Sequence, residues 1–359
     1  MKNKHYKFMH ICLIGRFFSS ISGGLGVYSK VLYENLPKYG LQASKVQSFE
    51  ESLNMYKFVL WYNLKLVHDV KKTHANIYHA TSPWEATWLY KLHKNAIKIA
   101  TVHDIIPLLF NLSKNVIKER ISKFLYKLAL RNIKKLDFVI VNSEETKNYL
   151  VDYFGYKEEL IEIIHPGVDL DKYHPIKVNG GNSILKVGVL GRMDAHKRHY
   201  LVIKAIKKIK SRKIRALIGG VGKMFDYCYA LARGDRRIKF LGFVPDSKMN
   251  EFYNSLDLFI LPSKIEGFGI PILEAFACGK PVIVMKDANI PKVLKEKCIV
   301  VSPRKLRKVL EYYIENKEDL RKYSEDLVNF ARKFSWEEAV KKHIVVYEEI
   351  YNARQVENY

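Results

Sequence analysis

Glutamine is almost absent: Gln42, Gln47 and Gln355 are the only three in a chain of 359 residues. Lys, Ile, Tyr and Asn are plentiful, a bias of composition that adds positive charge without a partner to explain it. Acidic residues are scarce, 37 against 61 Lys plus Arg, which leaves a net charge of +24. Nucleic acid, an anionic membrane surface and compositional bias all fit that figure, so charge alone selects none of them. Cysteine is rare as well. Cys12, Cys228, Cys278 and Cys298 lie far apart and form no C-x-x-C pair, which argues for reduced, mostly buried thiols against a disulfide framework or a metal centre. No apolar run reaches the ~18 residues of a membrane-spanning helix. The run at 8–15 is too short for a signal peptide and lacks a cleavage pattern, so a cytoplasmic location is expected. Metal motifs are missing: there is no H-E-x-x-H, and the one D-x-D is Asp169-Leu170-Asp171. The G-x-G-x-x-G and Walker A spacings are missing too.

What is present is an alternation of short apolar runs and helical patterns. Runs at 8–15, 76–81, 97–103, 137–142 and 161–164 read as buried parallel strands. The pattern restarts at 184–191 and continues through 214–219, 237–241, 256–261 and 282–285. The chain therefore reads as α/β, with two doubly wound parallel sheets. Its length exceeds that of a single core, in keeping with two domains. Residues 176–183 contain Asn179-Gly180-Gly181-Asn182, a linker composition. The expected organisation is an N-terminal domain over 1–178, a C-terminal domain over 179–335, and a final helix, 336–359, packing back towards the first domain. Residues 114–136 form a basic amphipathic helix with Ile117, Ile121, Phe124, Leu125 and Leu128 in the helical period. Packing against the core is preferred for this helix over a membrane-surface role.

Chemistry concentrates at residues 263–283. A strand runs into a Gly-containing loop and then an apolar helix, with Glu266 in the loop and Glu274 on the helix. Such a turn aims the N–H groups of Gly267, Phe268, Gly269 and Ile270, and a helix dipole, at whatever sits above the sheet. Arg192 and Lys197 follow another strand, where a guanidinium fork and an ammonium suit a diphosphate. The two carboxylates suit sugar hydroxyls, and together these groups fit a nucleotide-sugar held without a metal. Gly23 and Gly24 lie in the loop after the first strand, where backbone can approach a phosphate or sugar closely. His103 and Asp104 stand just past a strand end, on the side where parallel sheets bind ligands.

These residues carry a family resemblance. The stretch Ile265-Glu266-Gly-Phe-Gly-Ile-Pro-Ile-Leu-Glu274 is similar to the E-x7-E motif of the family-4 retaining glycosyltransferases of GT-B fold, also described as glycosyl transferases group 1. The likeness extends along nearly the whole chain. Gly23-Gly24-Leu-Gly26, Thr101-Val-His103-Asp104, Val141-Asn-Ser143, His165-Pro-Gly167-Val-Asp169, Gly191-Arg192 with Lys197, and Leu241-Gly242-Phe-Val244 resemble its successive motifs in order. The resemblance implies two Rossmann-like domains facing a cleft. It implies a hexosyltransferase that uses a nucleotide-sugar substrate, GDP-mannose or a UDP-sugar, with no cofactor and no metal. Glu274 would bind the ribose hydroxyls, and Val244 would lie in the base-binding loop. Glu266 with the backbone of Gly267, Phe268 and Gly269 would hold the hexose. Arg192 and Lys197 would stabilise the leaving diphosphate, and His103 the oxocarbenium-like transition state. Asp104 falls in the acceptor-side motif. Front-side attack, with a diphosphate oxygen taking the acceptor's proton, is the route the resemblance implies, unlike a two-carboxylate glycosidase. The Thr-Val-His-Asp-Ile-Ile-Pro-Leu form looks similar to mannose-transferring members, ahead of glucose or N-acetylglucosamine. His165 departs from the family, where Asn is common, and His196-Lys197-Arg198 adds charge.

A glycan or lipid-linked acceptor is expected, with the protein peripheral at the inner membrane face. Two readings from other classes compete. A nucleic-acid binder would fit the charge, but no aromatic–basic platform or recognition motif is present, and none is expected as a partner. A non-catalytic nucleotide-sugar scaffold would share the site without turnover.

Overall fold

The computed structural model describes residues 9–19, 24–47, 64–110, 115–176 and 183–357. The chain divides into two compact units. Unit 1 comprises Met1–Pro166 with Trp336–Tyr359, and unit 2 comprises Gly167–Ser335.

Unit 1 holds a parallel sheet of β1 (His10–Gly15), β2 (Gln42–Gln47), β3 (Ile77–Ala80), β4 (Ile97–Val102), β5 (Phe138–Val141) and β6 (Ile161–Ile163), in the order β2-β1-β3-β4-β5-β6. The inner strands are buried on both faces and so read as unbroken apolar runs. The sequence runs predicted every strand here except β2. Its sequence, Gln-Ala-Ser-Lys-Val-Gln, is polar because it forms an edge and buries one side chain, Val46.

Unit 2 holds β7 (Leu185–Leu190), β8 (Ile214–Gly219), β9 (Ile238–Gly242), β10 (Leu258–Leu261), β11 (Val282–Met285) and β12 (Ile299–Val301), all parallel, in the order β12-β11-β10-β7-β8-β9. This is the doubly wound order, and it reverses between β7 and β10.

Helices that position functional groups are α1 (Gly24–Asn35), α2 (Val116–Ile133), α3 (Glu144–Phe154), α4 (Tyr200–Lys208), α5 (Phe225–Ala232), α6 (Ile270–Ala277) and α7 (Trp336–Glu357). α3 begins where Ser143 Oγ accepts the Thr146 N–H at 3.3 Å. It ends at Gly155, whose φ of 62° closes the last turn. α7 belongs to unit 1. Its Ala339, Val340, Ile344 and Tyr347 are buried with Met9, Ile11, Leu13 and Leu32.

The structure corrects two readings. The division falls at Pro166/Gly167, not at 178/179. Val168 N–H donates to Phe334 O at 2.7 Å, and Val168 and Tyr173 are buried in the core of unit 2, so this segment packs with the second unit. The linker residues 177–182 lie outside the described residues. The second correction concerns α2. Ile117, Ile121 and Phe124 face outward, 69%, 46% and 63% exposed. The buried face is Tyr126, Ala129, Leu130 and Ile133, a second apolar stripe at helical spacing. Two stripes of equal period cannot be ranked by period alone.

Candidate functional site

Ligands of open parallel sheets sit beyond the carboxyl ends of the strands where the order reverses. In unit 2 that point lies between β7 and β10. The loop after β7 carries Arg192 and Lys197, and the loop after β10 carries Glu266. The structure brings two of these together. Lys197 Nζ donates to both Glu266 oxygens, each at 2.7 Å, and the carboxylate is only 8% exposed. Arg192 is 74% exposed, and its Nε donates to Asp194 Oδ2 at 2.5 Å. One cation is therefore fixed and partly buried, while the other is solvent-facing and holds one neighbouring acid.

The loops that carry them are fastened by Arg198, a residue that sequence reading counted only as extra charge. Its Nε donates to Pro262 O at 2.8 Å and its Nη2 to Ser263 O at 2.9 Å. The guanidinium also grips Asp287, beyond β11, with bonds of 2.9 and 3.1 Å. The hydrogen bond from Arg198 above all, with one from Lys264 Nζ at 3.0 Å, holds the Asp287 carboxyl down at about 2. Arg198 has φ 51°, a left-handed conformation that a non-glycine residue adopts only when its surroundings impose it. Lys264 N–H to His196 O at 2.7 Å and Glu266 N–H to Asn289 O at 3.0 Å complete the join. No motif in the sequence pointed to this role. The left-handed backbone at Arg198 is a property of the folded loop that its side chain does not announce.

Gly219-Gly220-Val221-Gly222, which fits neither the G-x-G-x-x-G nor the Walker A spacing, has a steric cause. A Cβ on Gly220 would sit 2.0 Å from Gly191 O, and one on Gly222 would sit 2.8 Å from Met193 N. The loop after β8 therefore lies directly against the loop that carries Arg192. Val244, beyond β9, sits with its Cγ2 2.9 Å from where a Gly219 Cβ would be. Thus the loops after β7, β8 and β9 form one backbone surface.

Glu266 and Glu274 do different things. Gly269, with φ 107°, ends the loop and starts α6, with Pro271 in its first turn. Phe268 turns its ring into the core, so only its backbone remains for a ligand. Glu274 lies farther along α6 and accepts from the Tyr253 hydroxyl at 2.7 Å and from the Tyr173 hydroxyl. Burial pushes its carboxyl above the ordinary range, against these two bonds. A carboxylate already held by two hydroxyls is acceptor chemistry of the kind that takes further hydroxyl donors.

Unit 1 holds His103, Asp104 and Gly24, and Gly23 lies outside the described residues. His103 Nε2–H donates to Thr81 O at 2.8 Å, which leaves Nδ1 as an acceptor. Burial lowers the ring to about 4, so it is neutral at pH 7. Its ring meets Tyr28 edge-to-face at 4.6 Å. Asp104 Oδ1 accepts the Ile106 N–H at 2.9 Å and so closes a turn. Gly24 opens α1.

Behind His103 runs a buried polar chain whose direction can be derived. His343 Nδ1 lies 2.7 Å from Ala339 O and must donate, so Nε2 accepts from the Tyr28 hydroxyl at 2.6 Å. Tyr28 then accepts from Thr101 at 2.8 Å, and Thr101 accepts from His79 Nε2–H at 2.7 Å. His79 Nδ1 accepts from the Tyr347 hydroxyl at 2.6 Å. Every ring in the chain is neutral, in keeping with burial that lowers both His79 and His343. The chain fastens α7 and α1 to β3 and β4.

Among the described residues, no three His, Cys, Asp or Glu side chains come together as a metal site. None of the described helices is long and apolar enough to cross a membrane.

Comparison with known proteins covers both units. Residues 27–172 match Glycosyltransferase Family 4, and residues 179–334 match Glycosyl transferases group 1. An uncharacterized glycosyltransferase of Methanocaldococcus jannaschii is 29% identical over 233 residues, 58% of this chain and 59% of that protein. The O-antigen chain mannosyltransferase B of Escherichia coli is 32% identical over 120 residues, 32% of each. The matched stretch thus spans less than two thirds of either relative's own length. The sucrose-phosphate synthase of Thermosynechococcus elongatus superposes with a TM-score of 0.79 at 18% identity, over 96% of this chain and all of that one, which shows the fold. Two family domains in succession, each on its own Rossmann-like sheet, place this chain among the family-4, group 1 glycosyltransferases of GT-B fold.

Proposed function

We propose that this protein is a retaining, metal-independent hexosyltransferase. It moves a hexose, mannose in preference to glucose or N-acetylglucosamine, from a nucleoside diphosphate sugar to a glycan or lipid-linked acceptor at the cytoplasmic face of a membrane. The observation that carries this reading is the Lys197–Glu266 pair at the switch point of unit 2, with the exposed Arg192 on the same loop as Lys197.

The chemistry follows from charge. As the bond between C1 of the sugar and the diphosphate oxygen breaks, negative charge grows on the diphosphate and positive charge on the sugar ring. Lys197 is already oriented by Glu266, and Arg192 exchanges Asp194 for phosphate oxygens. Fixed charges of this kind stabilise a transition state without reorganising at the moment of reaction. Glu266 and the backbone of Gly267, Phe268, Gly269 and Ile270 hold the hexose. Glu274 takes the ribose hydroxyls, Val244 borders the base, and Gly23 and Gly24 contribute backbone to the donor. His103, neutral and with Nδ1 open as an acceptor, is assigned to the hexose, and Asp104 to the acceptor side. The acceptor oxygen bonds C1 on the face the diphosphate leaves, and its proton passes to a diphosphate oxygen. Mannose preference draws on the likeness to the Escherichia coli mannosyltransferase.

Thermal-shift measurement across nucleoside diphosphates and their sugars tests the reading. Ligand at about a hundred times its Kd stabilises by ~2.7 kcal/mol. One base family should raise the midpoint, with its diphosphate sugar doing so in wild type and not in Lys197→Ala. Absence of any shift across the panel contradicts the proposal.

A further inference from the structure

We propose that unit 1 carries a second binding site, for a phosphate group borne by a small molecule or free, in a cleft at the amino ends of β3 and β4. The site lies wholly within unit 1 and does not depend on the transfer reading.

The cleft has a volume of about 390 Å³, the size of a small-molecule site. It lies between the turn that precedes β4 and the last turns of α7. Lys94, Arg354, His74 and His93 line it, and no Asp or Glu does so among the described residues. Lys94 is exposed and forms no ion pair among the described residues. Arg354 Nη1 stands 3.8 Å from Asp137, whose other oxygen already accepts the Lys98 backbone N–H at 2.8 Å. Lys98 is itself buried at the start of β4. Burial above all lowers its ammonium below the ordinary lysine range, Asp137 opposes this, and the charge of Arg354 adds to it. Positive charge at this end of the sheet thus exceeds what Asp137 balances.

The turn adds an independent feature. His93 has φ 45°, in the left-handed region, and its carbonyl accepts the Ala96 N–H at 2.9 Å. Lys94 and Asn95 between them both have negative φ, so the turn is of type I and Lys94 is right-handed. Adjacent left- and right-handed residues make successive N–H groups converge, a concavity suited to an anion. The N–H groups of His93, Lys94 and Asn95 donate to no protein acceptor among the described residues. The strained residue is held by its surroundings: the His93 ring stacks on Tyr78 at 4.3 Å, and its Nε2–H donates to Val70 O at 2.9 Å.

The occupant follows from these donors. A phosphate presents three terminal oxygens and close to two negative charges, enough for the turn, the ammonium and the guanidinium together. A carboxylate has two oxygens and one charge. The cleft is several times larger than a phosphate, which leaves room for an organic group beside Tyr351 and Gln355. The donor face is elsewhere: His103 stands past the other end of β4, six strand residues and so about 20 Å away. A bound phosphate joins the turn before β4 to the end of α7, the helix that His343 and Tyr347 fasten to Tyr28 and His79. Occupancy therefore secures α7 on the sheet.

The test is amide hydrogen exchange of the full chain, without donor, titrated with inorganic phosphate, glucose 6-phosphate or AMP, and with glucose or adenosine as unphosphorylated controls. Exchange at 92–97 should slow, with half-saturation at about 1 mM or below for at least one phosphate probe. Lys94→Gln, and separately Arg354→Gln, should each weaken that protection about tenfold or more. Arg192→Ala, in unit 2, should leave it unchanged. Lys94 is exposed and unpaired, so its variant should keep the wild-type thermal midpoint and keeps the test standing if Arg354→Gln misfolds. Equal protection by inorganic phosphate upholds the site with the free ion as occupant, and stronger protection by either ester upholds it with that class of molecule. Absence of protection with every phosphate probe overturns the proposal. So does equal protection by glucose or adenosine, or protection unchanged in folded forms of both variants. Protection lost in Arg192→Ala and kept in Lys94→Gln also overturns it, because the phosphate then acts from the donor site.

Discussion

Lys197 and Glu266 constrain each other, and that changes how mutants must be read. Removing Lys197 leaves a nearly buried carboxylate unpaired, which typically costs about 3–5 kcal/mol. A lost activity in Lys197→Ala is therefore partly a folding result. Glu266→Gln is the cleaner substitution, because the amide oxygen still accepts from the ammonium. It should keep its thermal midpoint within a few degrees and lower kcat by roughly 10²–10³. Arg192 provides the control. Its side chain is exposed with Asp194 as its ion-pair partner, so Arg192→Ala should stay within about 0.5 kcal/mol of wild type in urea titration while kcat/KM falls more than about tenfold. At this scale the sequence disclosed which residue types matter and where they stand. It did not disclose that the cation and the carboxylate bind each other, because side chains 69 positions apart meet only through strand order.

Element by element, the loops at the carboxyl ends of β7 and β8 are the least tolerant of change. Gly220 has φ 122°, and an added Cβ would lie 2.0 Å from a backbone oxygen, which cannot swing aside. Gly220→Ala should cost about 2 kcal/mol or more in urea unfolding and abolish donor binding. Gly234 has φ 84° and open space around its Cβ position, so Gly234→Ala should cost only about 1 kcal/mol and leave donor binding alone. The opposite outcome, with Gly234 the more sensitive, would detach the β8 loop from the site. Strands buried on both faces were legible as apolar runs, and so was the E-x7-E turn. Polar β2 was not, since an edge strand needs no apolar run. Nor was the direction of the α2 stripe, which depends on a neighbouring surface the period does not encode. Arg198 was passed over because its left-handed backbone is a property of the folded loop, not of its side chain.

Over the whole molecule, acid should weaken the fold. Burial holds His199 and His343 at about 4, below the ordinary 6.5. Between those values the unfolded chain binds more protons than the folded one, so stability rises with pH. It is complete above about 6.5 and is lost as pH falls towards 4. In unit 1 the loss has a specific route: His343 accepts from Tyr28 and His79 accepts from Tyr347, and protonation removes either acceptor. The thermal midpoint should therefore fall steeply between pH 6.5 and 5, and His343→Gln should flatten that slope even if it lowers the midpoint at pH 7. An unchanged slope would mean that His343 carries no part of the acid sensitivity. The polar chain was invisible in sequence because His79, Thr101 and His343 share no motif.

The most direct measurement is proton NMR of the anomeric region. The purified chain is incubated with each nucleoside diphosphate sugar and a lipid and oligosaccharide extract of its source cells. The account expects one donor to be consumed, nucleoside diphosphate to be released, the product to keep the donor's anomeric configuration, and Glu266→Gln to be nearly silent. An inverted product, undiminished transfer by Glu266→Gln, or no consumption of any donor would contradict it.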